Sequence, residues 1–447
     1  MIDPDRVAKL KSMLEERILV LDGAMGTAIQ SLDLSVTDFG GIEYEGCNEQ
    51  LNLTRPDVIE NIHKRYIEAG ADIIETNSFG STPLVLGEYG LEEKAYEISK
   101  AAATLAKDAT DKWGYPNKQV FVAGSMGPTT KALSVTGGIT WDQLFDNYYV
   151  QAHGLINGGA DLLLIETSQD ILNVKAALVA IGELGEKLGV EIPVAVQCTV
   201  ETMGTMLCGQ DIEAFYSSIA HVDLLWIGMN CATGPEFMRD HLRTLSGISR
   251  FPVAVIPNAG LPDEDGNYNE APESLSATLQ DFCREGWVNL VGGCCGTGPD
   301  HIRQLADAVS GVQARRKTVR HETVVSGLES FVIDDDTRPV LVGERTNVLG
   351  SRRFKRLVAE SKWEEMAEIG REQVRGGASV VDVCLQDPDR DEMSDMENFL
   401  KELTKRIKVS IMLDTTDATV IREALKLTPG KSIINSVNLE DGEERFT

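Results

Sequence analysis

No apolar run in these 447 residues is long enough to span a bilayer as a helix. Positive charge is scarce: 42 Lys and Arg stand against 70 Asp and Glu, a net charge of −28. That balance argues against a nucleic acid or an anionic membrane surface as partner. Histidine is scarce too, six in all. None falls at the end of an expected strand, so imidazole ligation of a metal is not expected. The start, Met1 to Arg6, does not read as a signal peptide. The chain is therefore expected in the cytoplasm, with its eight cysteines reduced and suited to metal binding or catalysis rather than disulfides. A chain this long, 42% hydrophobic and 25% charged, is ordinary globular material for two domains.

The stretch Val291-Gly292-Gly293-Cys294-Cys295-Gly296-Thr297 organises the rest. Neighbouring side chains on a regular strand point to opposite faces. Flanking glycines relax that limit and let both sulfurs turn inward. Cys231 sits in a similar place, after the apolar run Leu224 to Asn230.

Taken in order, eight apolar runs alternate with helical periodicity. They end near Leu21, Asn77, Ser125, Thr167, Thr199, Cys231, Asn258 and the cysteine pair. The runs are continuous rather than alternating, as for strands buried on both faces. A helix-to-strand turn recurs as Gly70-Ala71-Asp72, Gly159-Ala160-Asp161 and Gly377-Ala378-Ser379. The expected fold is α/β: a (β/α)8 TIM barrel over residues 1–310, with its site at the C-terminal strand ends. Asp22, Glu75, Asn77, Glu166, Asn230, Cys231, Cys294 and Cys295 all fall there. A charged linker is expected over 311–336. Four further strand–helix units over 337–447 read as a second, truncated (β/α) barrel; half a barrel leaves open edges, so the sequence is expected to be a fragment or its partner half to lie elsewhere.

Single cysteines are most simply small buried residues, and Cys198, Cys208, Cys283 and Cys384 are read that way; Cys47 is left open. Cys231, Cys294 and Cys295 read as three zinc ligands with the fourth place vacant. A substrate thiol there would be held as thiolate, and the chemistry that follows is alkyl transfer to sulfur. Asp22 and Glu166 are placed to accept from an ammonium group. The amides of the Gly23–Thr27 turn, Gly23 and Ala24 first, are placed to hold a carboxylate. The substrate is then an amino acid carrying a thiol. The plainer alternatives are a helix N-cap for Asp22 and a structural ion pair for Glu166.

These motifs resemble the homocysteine methyltransferase family. Asn230-Cys231 and Gly292-Gly293-Cys294-Cys295-Gly296 are similar to its zinc signature, and Asp22-Gly23-Ala24-Met25-Gly26-Thr27 to its first-strand loop. Gly343-Glu344-Arg345-Thr346-Asn347, Leu413-Asp414-Thr415-Thr416 and Gly430 to Ser436 resemble the pterin-binding domain of cobalamin-dependent methionine synthases. The resemblance implies zinc on Cys231, Cys294 and Cys295 as the catalytic centre, and the homocysteine ammonium on Asp22 and Glu166. It implies methyltetrahydrofolate facing Glu344, Asn347, Asp382, Asp414 and Asn435. Homocysteine would take its methyl group from methylcobalamin, carried by a cobalamin-binding domain or protein beyond this sequence, and become methionine. The folate domain would separately supply a methyl group to cob(I)alamin. Cys384 departs from the family, which more often has Asn there, and Gln386 and Asp387 depart from its acidic pattern. Two alternatives stay open: a direct donor such as betaine or S-methylmethionine, and a non-catalytic zinc barrel.

Overall fold

The computed structural model describes residues 2–114, 119–317, 322–437 and 442–443. The chain divides into two compact units, Met1–Cys208 with Val222–Val319, and Gly209–His221 with Arg320–Thr447.

In the first unit the apolar runs form β1 (Leu19–Val20), β2 (Ile73–Glu75), β3 (Phe121–Met126) and β4 (Leu162–Ser168). They continue with β5 (Val194–Cys198), β6 (Ile227–Asn230), β7 (Val253–Ile256) and β8 (Leu290–Val291). All pair in parallel in the order β1-β8-β7-β6-β5-β4-β3-β2. A bridge from Leu21 to Ile73 joins the two ends. The bonds Asp72 N–H to Val20 O (2.7 Å) and Asp22 N–H to Ile73 O (3.0 Å) carry that closure. This is the expected eight-stranded barrel. Closure removes the sheet's edges, and outer helices cover its second face.

Alternate residues point inward, and Leu21, Ile73, Ala123, Leu164, Ala195 and Trp226 share one buried cluster. Toward the C-terminal ends the same inward positions turn polar, at Glu75, Ser125, Glu166, Gln197 and Asn230. The recurring turn is a left-handed helix stop. Gly70, Gly159 and Gly377 have φ of 106°, 100° and 98°, a region open to glycine at little cost. Just past the first two turns, Asp72 pairs with Arg17 (2.7 Å) and Asp161 with Arg6 (2.6 Å), tying the opposite end of the barrel.

In the second unit, residues expected as linker form an antiparallel hairpin of β9 (Thr323–Ser326) and β10 (Ser330–Ile333). The β-branched and aromatic residues Val324, Val325, Phe331, Val332 and Ile333 outweigh the flanking charges. The helix Ile212–Ile219 belongs to this unit although it lies between β5 and β6 in sequence. Asp211 N–H donates to Leu328 O (3.1 Å), and Ser217 Oγ to Ser326 Oγ (3.0 Å). A second, smaller parallel sheet runs β11 (Val342–Gly343), β12 (Val380–Val383), β13 (Ser410–Asp414) and β14 (Ile433–Asn435), in that order. Its core includes Phe354, Met366, Val381, Phe399 and Leu413. Among the described residues no helix is long and apolar enough to cross a membrane.

Candidate metal and substrate site

The sulfurs of Cys231, Cys294 and Cys295 lie within 4.8 Å of one another. Cys231 Sγ is 3.9 Å from Cys295 Sγ. A tetrahedral zinc ion with Zn–S bonds of about 2.3 Å sets sulfurs roughly 3.8 Å apart, so the three thiols fit the ion. This is the one such group of His, Cys, Asp or Glu among the described residues. Three thiols on a tetrahedral ion would leave its fourth place open. Cys231 and Ala232 reach this geometry with φ of 62° and 57°, left-handed values that cost a non-glycine residue energy and cluster at functional sites.

Backbone bonds pin the cysteine pair. Cys294 N–H donates to Pro257 O (2.8 Å), Cys295 N–H to Asn258 Oδ1 (3.1 Å) and Gly296 N–H to Thr27 Oγ1 (3.0 Å). The flanking glycines act in two ways. Gly296 has φ of 81°, whereas a Cβ on Gly293 would meet the Thr297 side chain at 2.4 Å. The Cys295 thiol is driven far below its usual range, because Cys231, Cys294 and the Tyr268 hydroxyl donate to its sulfur. The other cysteines differ little from expectation: Cys198, Cys283 and Cys384 are buried, Cys208 is half-buried, and Cys47 is buried.

In the same barrel lie three carboxylates, Asp22 just after β1, Glu75 on β2 and Glu166 on β4. Asp22 is 2% exposed, and both its oxygens accept from Glu75 N–H (3.2 Å). It caps no helix, since the next helix starts at Met25 with Ala24 as its cap. Glu166 is 5% exposed; it accepts from Ser125 Oγ (2.5 Å) and from Asn230 Nδ2 (3.2 Å). The structural ion pair weighed for it is absent among the described residues. Burial pushes the Glu166 carboxyl up to about 7, against the Ser125 hydrogen bond. Burial, and then the nearby charge of Glu166, holds Glu75 well above the usual carboxylate range. A cluster of this kind is completed by a cation.

The turn after β1 departs from expectation at one atom. Ala24 N–H donates to Thr297 O (3.2 Å), so it is not free for a substrate carboxylate. Gly23 packs so closely that a Cβ there would meet Tyr66 at 2.8 Å and Thr297 O at 3.0 Å. Ser125, Asn258, Thr297 and Tyr268 were given no role from sequence. Ser125 and Asn258 carried a signal, their place at strand ends. Tyr268, on a long loop after β7, carried none.

In the second unit four of the five expected residues join in one hydrogen-bonded group. Asn347 Nδ2 donates to Asp382 Oδ2 and to Asp414 Oδ2, both at 3.2 Å. Asn435 Nδ2 donates to Asp414 Oδ1 (3.1 Å). Glu344 is exposed and outside these bonds, and its charge acts on both Asp382 and Asp414. Burial raises the Asp382 carboxyl to about 6.

The sequence pattern of Homocysteine S-methyltransferase matches residues 19–309, and that of Pterin binding enzyme residues 343–447. The Methionine synthase of Mycobacterium tuberculosis (strain ATCC 25618 / H37Rv) is 41% identical over 444 residues, 98% of this chain and 37% of that protein. The Methionine synthase of Mycobacterium leprae (strain TN) is 41% identical over 449 residues, with the same coverage. The chain thus spans little more than a third of those relatives. Among solved structures, the metallated form of the homocysteine methyltransferase MmuM from Escherichia coli aligns with a TM-score of 0.53 at 23% identity. It covers 67% of this chain and 99% of its own. Its oxidized form aligns at 0.50 and 22%, covering 65% and 95%. At such identity the likeness bears on the fold. The first pattern spans well over half of the sequence, and the chain belongs to the homocysteine S-methyltransferase family.

Proposed function

We propose that the barrel methylates the thiol of homocysteine to give methionine, with methylcobalamin as donor. Zinc held by Cys231, Cys294 and Cys295 would supply one thing, a fourth position in which a substrate thiol stays ionised near neutral pH. The chain's own residues do the rest. Asp22 and Glu166 take the substrate ammonium, while Ser125 and Asn230 hold Glu166 in place. The sulfur–carbon bond forms as the donor's carbon–cobalt bond breaks, and both electrons of the broken bond stay with the donor. The donor arrives on a cobalamin-binding domain or a separate protein. Methyltetrahydrofolate binds the second unit through Glu344, Asn347, Asp382, Asp414 and Asn435 and replenishes the donor. Amide and carboxylate groups suit the donors and acceptors along a pterin edge. The reaction belongs in the cytoplasm, where thiols stay reduced.

The observation that carries the reading is three clustered thiols in one barrel with buried carboxylates that pair with no cation among the described residues. The test is loss of methylcobalamin absorbance when the purified chain is given zinc, methylcobalamin and homocysteine. Demethylation that disappears in Cys294→Ala supports it. No demethylation with zinc fully bound overturns the corrinoid donor, and betaine and S-methylmethionine are then the donors to try.

A further inference from the structure

Asp22 and Glu166 were singled out for the substrate ammonium, yet the site contains a third carboxylate with a freer hand. Glu75 ends β2, between Asp22 after β1 and Ser125 on β3. It shares the inward face of Ile73, two residues before it, which packs in the barrel's interior cluster. Both oxygens of Asp22 are engaged by the Glu75 amide, and both oxygens of Glu166 by Ser125 and Asn230. The Glu75 side chain has no hydrogen bond or ion pair among the described residues, although it is largely shielded from water.

The floor of the same space is also incomplete. Gln197, fully buried on β5, faces inward two residues after Ala195 of the interior cluster. Glu166 and Gln197 each follow the registered pair Ile165 and Val196, at the point where the register of β4 against β5 shifts before Ser168 pairs with Cys198. Neither the amide oxygen nor the amide nitrogen of Gln197 has a partner. Buried polar groups in a folded protein are satisfied by protein, water or ligand. A layer with three carboxylates, an unpaired amide and, among the described residues, no cation paired to them is built for a polar, positively charged guest.

We infer that Glu75 is a third ammonium-binding residue, so that the site reads a primary ammonium through one carboxylate for each of its three N–H donors. This rests on the barrel being the homocysteine site. It makes Glu75 the determinant that separates α-amino thiols from thiols lacking the amine.

The test is calorimetric titration of the zinc-loaded full chain with homocysteine and with 4-mercaptobutanoate, which keeps the thiol and carboxylate but lacks the ammonium. Glu75→Gln lowers homocysteine affinity by about tenfold or more and changes 4-mercaptobutanoate affinity by less than about twofold. The ligand-free variant melts higher than wild type, because one of three crowded like charges is gone. Glu75→Asp, which keeps the charge on a shorter stem, serves if the glutamine variant does not fold, and loses homocysteine affinity selectively too. Unchanged homocysteine affinity, or an equal fall for both thiols, overturns the inference while leaving the proposed function standing. A wild-type protein that binds neither thiol overturns both.

Discussion

Asn230 ties the two halves of the candidate site together. Its amide nitrogen donates to Glu166 Oε2 and to Thr167 Oγ1, its amide oxygen accepts from Thr167 N–H (2.8 Å), and its chain neighbour is Cys231. Thr167 needs that support, because a β-branched residue at φ of 52° is strained. Asn230→Ala leaves the Thr167 N–H buried without its acceptor and should destabilise the protein by about 1–3 kcal/mol in urea unfolding. Cys294 is a different case, since in the proposed reading its loss takes away one of three zinc ligands. Cys294→Ala should weaken zinc retention by more than about 100-fold in a chelator competition, beyond the loss typical of a group that only supports a ligand. Undiminished zinc in that variant removes Cys294 from the metal site.

At the scale of elements, β6 shows how tightly the cysteine support is packed. A Cβ on Gly228 would meet Ala254 O at 2.4 Å and Ala254 Cβ at 2.8 Å, and neither strand can move without disturbing the pairing of β6 with β7. Gly228→Ala should cost about 1–3 kcal/mol in urea unfolding, an over-packing penalty, and a neutral result would mean that the strands separate freely. The end of β12 makes a prediction about pH. Burial raises Asp382 from 3.8 to about 6 in the folded protein. Below the lower value the group is protonated in both states and imposes no penalty. As pH rises through about 6 the folded protein must ionise a carboxyl that the unfolded chain ionised more easily, and stability is lost. Asp382→Asn should therefore raise the melting temperature of the ligand-free protein at pH 7.5, with a gain that shrinks steadily toward pH 4. A gain independent of pH would point to packing instead.

For the whole molecule, the two compact units carry two separate groups of chemistry-bearing residues. Asp414→Ala should abolish folate-dependent methyl transfer while leaving homocysteine-dependent demethylation of methylcobalamin within about twofold, since mutations at separate sites with no shared partners act independently. Cys294→Ala should do the converse. A variant in one unit that silences both half-reactions would contradict this division.

Much of this was legible because the signals are local. A strand buried on both faces is a continuous apolar run, and a helix that stops on a left-handed residue calls for glycine, so eight strands and the turn at Gly70, Gly159 and Gly377 could be read residue by residue. The cysteine pair and Cys231 stood out by their place at strand ends. The hairpin of β9 and β10 was hidden because its flanking charges are a local signal of solvent, whereas its pairing is a contact between segments. The same holds at the site. Sequence could put Asp22, Glu75 and Glu166 at the ends of strands, but it could not say that Ala24 spends its amide on Thr297 or that Tyr268 reaches Cys295. Nor could it say that Glu75 alone among the three carboxylates keeps its oxygens unengaged. Composition and periodicity determine which residues are buried and on which face. Which buried polar atoms find partners depends on distances between strands far apart in sequence, and only the closed barrel decides those.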